Sequence, residues 1–288
     1  MSIIELKNVS FWYGRKTPYE IKALDDVSLE IEENSITGLI GHTGSGKSTL
    51  VQMLNGILKP DEGTVIVDGE DIWAKPKEIG KVRFKVGMVM QYPEYQLFAE
   101  TVREDIAYGP KNMGLDNEEI TARVNRSIEF CGLTPDILEK SPFDLSGGQK
   151  RRVALAGIMA MEPKILVLDE PAAGLDPKGR REILSGIKKY SEISGTSVII
   201  VSHSMEDMAM YCDRVVVMSH SSVLANGTCR EVFSNHRLLF DAGLDVPEIT
   251  SIVLAMRKIG LDVPEDIYTV DGAYSALKAL FEKGGHIV

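Results

Sequence analysis

The 288-residue sequence predicts an α/β fold in which helices cover both faces of a mostly parallel sheet. Short continuous apolar runs recur along the chain and alternate with segments of helical spacing, which favours buried parallel strands joined by helices. A glycine-rich turn joins one apolar run to a helix, and polar residues directly follow later runs. Ligands of such sheets bind at the carboxyl ends of the strands, so the sequence predicts a site at that edge.

The composition is that of an ordinary globular protein from a reducing compartment. Hydrophobic residues make up 44% and charged residues 26% of the chain, and its length suits one large domain with an appendage. The net charge of −10 disfavours a nucleic-acid partner, because phosphate binders usually carry a basic face. The three cysteines lack C-x-x-C spacing and are typical of free thiols. We expect no signal peptide and no run of the ~20 apolar residues that span a bilayer, so a membrane role requires a partner.

The N-terminal segment predicts two antiparallel strands, at residues 3–13 and 21–31. Strand alternation puts Phe11 and Tyr13 on one face and Trp12 on the other. One of these aromatic rings can stack on a nucleobase, and packing inside a small sheet is the alternative for each of them.

The sequence GHTGSGKS at residues 41–48 fits the pattern of a phosphate-binding loop. It follows an apolar run and leads into a helix, which is the context that the motif requires. Its glycines let backbone N–H groups point at an anion, and the helix N-terminus adds its dipole. Lys47 can reach the β- and γ-phosphates of a nucleotide, and the Ser48 hydroxyl can complete a Mg²⁺ shell. The predicted phosphate-binding residues are Gly41, His42, Thr43, Gly44, Ser45, Gly46, Lys47, Ser48 and Thr49.

A helical subdomain is expected at about residues 92–160, inserted between strands, because the apolar residues there recur three and four apart. Within it, the sequence LSGGQ at residues 145–149 precedes an almost wholly apolar helix that should run into the core. Two glycines at a helix start expose N–H groups and the serine adds a hydroxyl, so a second anion site is predicted at Ser146, Gly147, Gly148 and Gln149. One nucleotide needs only one phosphate-binding loop, and the second site therefore favours an arrangement in which each of two copies closes over the other's nucleotide.

Polar residues follow several of the predicted parallel strands. The apolar run at residues 165–168 ends in Asp169 and Glu170, and Gln91 and His203 follow two further runs. Asp169 is placed to hold Mg²⁺, and Glu170 is placed to polarise an attacking water as general base. An exposed pair of loop carboxylates is the alternative, which the upstream phosphate-binding loop disfavours. We expect Gln91, Asp169, Glu170 and His203 to converge on that loop.

The chain changes character after about residue 230. Residues 247–259 predict an amphipathic helix, and Asp271 is expected to cap a second helix that shows Tyr274 and Phe281. These helices either cover the domain's own core or form a subunit interface. We therefore divide the chain into a main domain at residues 1–230 and a C-terminal helical extension at residues 231–288.

Together these motifs resemble the ATP-binding subunit of ABC transporters over about residues 1–230. The matching motifs are Walker A (41–48), the Q-loop Gln91, the signature (145–149), Walker B (165–170), the D-loop (173–176) and the switch His203. The resemblance implies an α/β P-loop NTPase fold with a RecA-like mixed sheet core, an antiparallel β subdomain, an inserted α-helical subdomain and a C-terminal helical appendage. It also implies that the chain binds and hydrolyses ATP with Mg²⁺.

The resemblance assigns roles to single residues as well. It implies that Tyr13 stacks on adenine and that His203 contacts the γ-phosphate. Gln91 would sense Mg²⁺ and the membrane partner, and Asp176 would cross a dimer interface. The implied catalytic residues are Glu170, His203 and Gln91, and the implied metal ligands are Ser48, Gln91 and Asp169.

A narrower likeness is to the ATPases of energy-coupling factor (ECF) transporters, which drive uptake of vitamins and transition-metal ions. It rests on the sequences of residues 41–45, 91–98, 109–114 and 150–157 and on the C-terminal helices. The His42 form is similar to the second of two ATPase paralogues. Ala172 and Tyr92 depart from the residues common at those positions, which are Thr and Asn.

The ECF likeness implies a homodimer or a heterodimer with a paralogous ATPase, at the cytoplasmic face of the membrane. It also implies a transmembrane scaffold subunit and a substrate-binding membrane subunit. The scaffold would insert short helices carrying an arginine into a groove beside residues 92–98, with Glu94 as the expected partner. For this groove, the alternative is that the aromatic residues of the segment pack internally and that Glu94 is only solvated. The alternative is a soluble ABC ATPase of translation or DNA repair, or an ABC exporter half. These are disfavoured by the single cassette, by the lack of a long coiled coil and by the lack of transmembrane helices.

Overall fold

A computed structural model describes residues 1–282 and contains two sheets. The first is antiparallel with strand order β2-β1-β4-β5. The second has the order β10-β9-β3-β8-β7-β6, in which β10 alone runs antiparallel to its neighbour. The strands are β1 (Ser2–Tyr13), β2 (Ile21–Glu32), β3 (Ile36–Gly41), β4 (Glu62–Val67), β5 (Glu70–Asp71), β6 (Val86–Val89), β7 (Ile165–Asp169), β8 (Ser197–Val201), β9 (Arg214–Ser219) and β10 (Ser222–Thr228).

Eleven helices lie within the described residues, and most of them connect or cover strands of the second sheet. They are α1 (Lys47–Leu54), α2 (Ile79–Lys85), α3 (Val102–Asn112), α4 (Asn117–Phe130), α5 (Gly147–Met159), α6 (Pro177–Ser194), α7 (Met205–Tyr211), α8 (Cys229–Ser234), α9 (His236–Asp241), α10 (Glu248–Lys258) and α11 (Val270–Glu282). The predicted fold class is confirmed: a mixed sheet core, an antiparallel sheet and inserted helices are all present. In the described part of the chain, no helix is both long enough and apolar enough to span a bilayer.

Strand β3 is central to the second sheet because β8 and β9 pair with it in parallel on its two sides. All six of its residues are buried. Strands β6, β7, β8 and β9 run in the same direction, so their carboxyl ends meet at the edge where β3 ends. This edge is where the loops after Gly41, Val89, Asp169 and Val201 come together.

Two large apolar clusters hold the main domain together. One lies between the two sheets and includes α1, and the other joins the second sheet to helices α3–α7. The inserted helices pack on the sheet through α5, whose Val153, Ala156 and Met159 are buried. Helix α4 reaches α6 so closely that a Cβ at Gly186 would lie 2.3 Å from the Phe130 carbonyl oxygen. The inserted subdomain is therefore tied to the core through α5 and through the end of α4.

The C-terminal region divides differently from the expected boundary at residues 230 and 231. That boundary falls inside α8, and side chains as far as Val246 still pack in the main core because α8 and α9 cover it. Helices α10 and α11 instead form a small cluster of their own around Val253 and Ala273. Residues 283–288 of the expected extension lie outside the described residues.

The prediction that Asp271 caps the last helix is wrong. Asp271 lies within the first turn of α11, and the Thr269 hydroxyl accepts a hydrogen bond from the Gly272 N–H (3.2 Å). Threonine is also a favoured cap, and a carboxylate in the first turn still interacts well with the helix dipole. A helix that begins two residues earlier than expected explains both observations.

Candidate nucleotide site

The phosphate-binding loop bridges the end of β3 at Gly41 and the start of α1 at Lys47. Gly46 has a φ of 101°, and a Cβ there would lie 2.5 Å from the Ala23 carbonyl oxygen. Only glycine fits this position without strain, both in φ and in space. The loop is thereby wedged against β2, with its backbone turned into the start of α1.

Lys47 is buried at the start of α1, with 6% of its surface exposed. Its ammonium group donates hydrogen bonds to the carbonyl oxygens of Gly41 (2.7 Å) and His42 (2.9 Å). Burial lowers the pKa of Lys47, and the nearby carboxylates of Glu170 and Asp169 oppose that shift. A desolvated cation held at the rim of a loop of N–H donors is well placed to bind an anion.

Two carboxylates face this lysine from the end of β7. Asp169 Oδ2 accepts a hydrogen bond from Ser48 Oγ (3.4 Å), and burial raises the pKa of Asp169. Burial also raises the pKa of Glu170, although nearby His203 opposes the shift. The Glu170 backbone adopts the left-handed region at φ 53°, and its N–H donates to the Val201 carbonyl oxygen (3.0 Å). That turn directs Glu170 out of the strand and into the site.

The carboxyl group of the half-buried Glu170 has one poorly satisfied oxygen. Its Oε1 is buried and has no hydrogen-bond partner among the described residues, and His203 Nε2 lies 3.7 Å away. An unpartnered buried oxygen is costly and usually has a functional reason. An acid whose pKa is raised by burial is also better matched to accept a proton near neutral pH.

One cavity of about 420 Å³ collects most of the predicted residues. The site residues predicted from the sequence that line this cavity are Tyr13, Thr43, Gly44, Gly46, Lys47, Ser48, Thr49, Gln91, Asp169, Glu170 and His203. Gly41, His42 and Ser45 do not line the cavity. The carbonyl oxygens of Gly41 and His42 accept hydrogen bonds from Lys47, and the His42 ring packs against His220 (5.4 Å between centroids). Ser45 is fully buried. The oxygen donors of Ser48 and Asp169 suit a hard cation such as Mg²⁺.

Tyr13 is the aromatic residue of the first strand that borders the cavity. Its hydroxyl lies 3.2 Å from Thr49 Oγ1, its ring packs edge-on against Phe11 (4.9 Å), and 43% of its surface is exposed. Trp12, on the opposite face, instead lies beneath the cationic groups of Arg15 and Lys22. An exposed ring at the mouth of a phosphate site is suited to stack on a base.

The second predicted anion site lies elsewhere in the chain. Ser146 caps α5 in a reciprocal arrangement, accepting from the Gln149 N–H (3.3 Å) and donating its own N–H to the Gln149 side chain (3.1 Å). Asp176 caps α6 by accepting from the Gly179 N–H (2.8 Å). As far as the structure describes the chain, neither Asp176 nor residues 146–149 line the cavity.

Comparison with known proteins decides the family. The family described as "ABC transporter" matches residues 24–173. The energy-coupling factor transporter ATP-binding protein EcfA2 of Caldanaerobacter subterraneus is 51% identical over 270 residues, which are 94% of each chain. The chain belongs to the ABC transporter family, among the ECF transporter ATP-binding proteins.

Solved structures agree with this assignment. The structure of cbiO1 from Clostridium perfringens, titled as part of the ABC transporter complex cbiONQ, matches with a TM-score of 0.75 and 36% identity. It covers 88% of this chain and 99% of its own. The dimeric cassette MJ0796 bound to ADP and Pi matches with a TM-score of 0.71 and 29% identity, over 78% of this chain and 98% of its own. The ECF-type ATPase described here therefore hydrolyses ATP to power transport, and the soluble alternative is not supported.

Sequence reasoning missed two features of this ECF-type ATPase. The start of β2, with Ile21, Lys22 and Ala23, forms part of the cavity wall, and no local signal marks it because the sheet order brings it there. The expectation that Glu94 is free to pair with a partner's arginine is also wrong. Its carboxylate is bound by Arg151 of the same chain through two hydrogen bonds (2.9 and 3.1 Å), and the pair is mostly buried.

Proposed function

We propose that this ATPase powers uptake of a vitamin or a transition-metal ion through a membrane complex, from the cytoplasmic face. The observation that carries the proposal is a single cavity that contains Lys47, Asp169, Glu170 and His203, with Gln91 leading directly into an apolar groove. A site for phosphates and a surface for a partner are thus joined by a few residues of chain. The likeness to the ECF transporter ATP-binding proteins and to cbiO1 of the cbiONQ complex supports this proposal.

The phosphate loop and its neighbours would bind ATP in this proposal. Lys47 and the N–H groups of the loop would hold the β- and γ-phosphates, and Tyr13 would stack on adenine. Ser48, Asp169 and Gln91 would hold Mg²⁺, which neutralises phosphate charge when it is bound. Thr43, Gly44 and Thr49 line the same wall and complete the cradle.

Glu170 would act as the general base for the attacking water. Its Oε1 forms no hydrogen bond with the described residues and can accept one from a water molecule. His203, 3.7 Å from that oxygen, would contact the γ-phosphate and keep the base oriented. The raised pKa of Glu170 makes proton acceptance more favourable than for an exposed carboxylate.

The signature residues would complete the ATP site of a second subunit, either an identical chain or a paralogue. Ser146, Gly147, Gly148 and Asp176 lie outside the chain's own cavity, and the signature glycines leave the first N–H groups of α5 accessible to an anion. The dimeric solved cassette supports such an arrangement. Helices α10 and α11, which expose Ile252, Tyr274 and Phe281, would extend the dimer interface.

Gly147→Ala tests the shared site without disturbing the single chain. A Cβ at Gly147 meets nothing within 4 Å, and its φ is not positive, so the variant should fold at least as well as the parent. We expect it to lose ATP-dependent dimerisation in size-exclusion chromatography, because the methyl group would enter the partner's phosphate site. Gly80→Ala, another helical glycine with open space around its Cβ, is the matched control and should dimerise normally. Normal dimerisation of Gly147→Ala would contradict the shared site.

The groove beside Gln91 would receive the transmembrane scaffold. It measures about 520 Å³, is lined mainly by apolar side chains and has Phe98 and Tyr108 packed edge-on at its rim (4.9 Å). Asp105 also lines it, and its carboxylate accepts from the N–H groups of Phe98 and Ala99 (3.0 Å to Ala99). Because Glu94 is occupied by Arg151, Asp105 replaces it as the acidic group available to an arginine-bearing helix.

Asp105→Asn tests this docking site. The amide oxygen can still accept from the Ala99 N–H, but it cannot pair with an arginine, so assembly with the scaffold should weaken while ATPase activity of the isolated chain persists. Glu104→Gln is the matched control, since its carboxylate lies on the same helix outside the groove. The measurement is co-purification of the scaffold from membranes and uptake by the complex. Parental yield and uptake with Asp105→Asn would rule out this contact.

A further inference from the structure

Arg151 is a buried arginine that donates to three acceptor atoms of two residues near the ATP site. It lies in the second turn of α5 and exposes 5% of its surface. Its Nε and Nη2 donate to the two carboxylate oxygens of Glu94 (3.1 and 2.9 Å), and its Nη1 donates to the Ala173 carbonyl oxygen. A planar guanidinium group suits such a forked pair plus a third acceptor.

Each of these partners lies just beyond a residue of the proposed site. Glu94 follows Gln91 by three positions, and Ala173 follows Glu170 by three positions. The Ala173 N–H also donates to the Glu170 carbonyl oxygen (3.2 Å), so that turn is closed directly on the proposed base. Arg151 therefore joins the segment after Gln91 to the turn after Glu170.

The same arginine connects this pair of segments to the signature. Ser146 caps the helix that carries Arg151, and the capping pair holds the start of α5 rigidly. The chain adopts the left-handed backbone conformation just after both strands, at Tyr92 (φ 57°) and at Glu170 (φ 53°). Residues other than glycine adopt this conformation only when surrounding contacts hold them in it. Contacts that hold such turns are expected to control the position of the residues beside them.

We propose that Arg151 is a positioning residue that holds Gln91, Glu170 and the signature helix in one geometry for hydrolysis. This rests on the proposed roles of Gln91 and Glu170 in the ATP site. Among the described residues, Arg151 forms no hydrogen bond with the phosphate loop, so its loss should displace the catalytic turn while leaving ATP binding to Lys47 largely intact. Its effect should therefore appear in kcat rather than in KM.

The test uses the full-length chain with Arg151→Met and Arg151→Lys. Arg151→Met should lower kcat between about tenfold and a hundredfold, as displacements of about 1 Å do, with KM for ATP changed less than about threefold. Arg151→Lys keeps the charge but loses the fork, so we expect an intermediate kcat. If Arg151→Met folds poorly, the kcat of Arg151→Lys still tests the proposal.

Arg123→Met is a matched control for structural loss. Arg123 is likewise poorly exposed, pairs with the carboxylates of Glu119 and Glu162, and donates to the Met161 carbonyl oxygen (3.1 Å). It lies in the inserted helices, and within the described part of the chain it forms no hydrogen bond or ion pair with the segments after Gln91 or Glu170. We expect Arg123→Met to lower the melting temperature about as much as Arg151→Met while leaving kcat within about twofold of the parent.

A double variant separates positioning from general destabilisation. If Glu94 acts through Arg151, the Glu94→Gln and Arg151→Met losses in kcat should not multiply in the combined variant. The inference is overturned if folded Arg151→Met keeps the parental kcat, if its KM rises in step with the loss, or if the two losses multiply. Glu170→Gln run alongside distinguishes the causes. If Glu170→Gln keeps the parental kcat, both the proposed site and this inference are contradicted. If Glu170→Gln loses activity while Arg151→Met keeps the parental kcat, only this inference is contradicted.

Discussion

Glu170→Gln is the sharpest test of the proposed chemistry because it replaces one oxygen of a half-buried side chain with an amide nitrogen. Glutamine keeps the shape of glutamate and its capacity for hydrogen bonds, but it cannot take a proton from water. The altered group has one buried oxygen without a hydrogen-bond partner among the described residues, with His203 3.7 Å from it. The phosphate contacts assigned to Lys47 are unaffected, so ATP binding should persist.

The expected loss of kcat in Glu170→Gln follows from the rate enhancement that a general base provides. Such a base contributes about 10²–10⁴ in rate, which corresponds to roughly 2.7–5.4 kcal/mol of transition-state stabilisation at about 1.36 kcal/mol per tenfold. The neighbouring carboxylate of Asp169 accepts from Ser48 and is assigned to Mg²⁺ in the proposal, so we do not expect it to take over the role of base. We therefore expect kcat to fall by this factor while the nucleotide-bound dimer accumulates.

The pH dependence gives an independent reading of the same residue. Burial raises the pKa of Glu170, and only its ionised form accepts a proton, so the parental rate should rise as pH increases through that raised pKa. Folding favours the protonated form of a group whose pKa is raised, so ionisation costs stability at higher pH. Glu170→Gln should lack the acid limb in activity. Its melting temperature should rise relative to the parent as pH increases from the ordinary pKa of a glutamate to the raised pKa, and the difference should stay constant above that.

The assay is phosphate release at saturating ATP and Mg²⁺ across the acidic and neutral range, with thermal unfolding followed in the same buffers. Size-exclusion chromatography with ATP then reports the dimer. A Glu170→Gln protein that turns over at the parental rate, or that retains the parental acid limb, would refute the assignment of the base.

Three further predictions concern the loop and the extension. Lys47→Ala should weaken ATP binding by about 1.5–3 kcal/mol, roughly tenfold to a hundredfold in Kd, and unchanged titration with fluorescent ATP would contradict this. Gly46→Ala should lower the free energy of unfolding by at least about 1–2 kcal/mol, because the φ of Gly46 is 101° and the added Cβ would meet the Ala23 carbonyl oxygen. Gly44→Ala, with open space around the added Cβ, should lower the free energy of unfolding less, and denaturant titration of both variants measures the difference. A chain ending at Val246 should remain folded and hydrolyse ATP. In analytical ultracentrifugation without nucleotide, it should form fewer dimers than the full-length chain. Unchanged dimerisation would exclude α10 and α11 from the interface.

Much of the fold was predictable because its signals are local. Buried parallel strands are continuous apolar runs, and the turn that follows β3 carries glycines that the loop geometry demands. The order of motifs indicated which strand ends converge, and Asp169, Glu170 and His203 do border one cavity. These features depend on residues close together in sequence, or on the general rule that parallel strands end at one edge.

Other features depend on contacts between distant residues, which no local pattern encodes. Glu94 and Arg151 are 57 positions apart, and only packing of α5 against the Q-loop segment brings them together and removes Glu94 from the docking surface. The choice of Tyr13 over Trp12 follows from which face of β1 turns toward the phosphate loop. The sequence by itself therefore determined the α/β class, the phosphate loop and the carboxylates of the site. Tertiary packing decided which charged side chains remain free for a partner, since a buried charge is satisfied by whichever opposite charge the fold brings within reach.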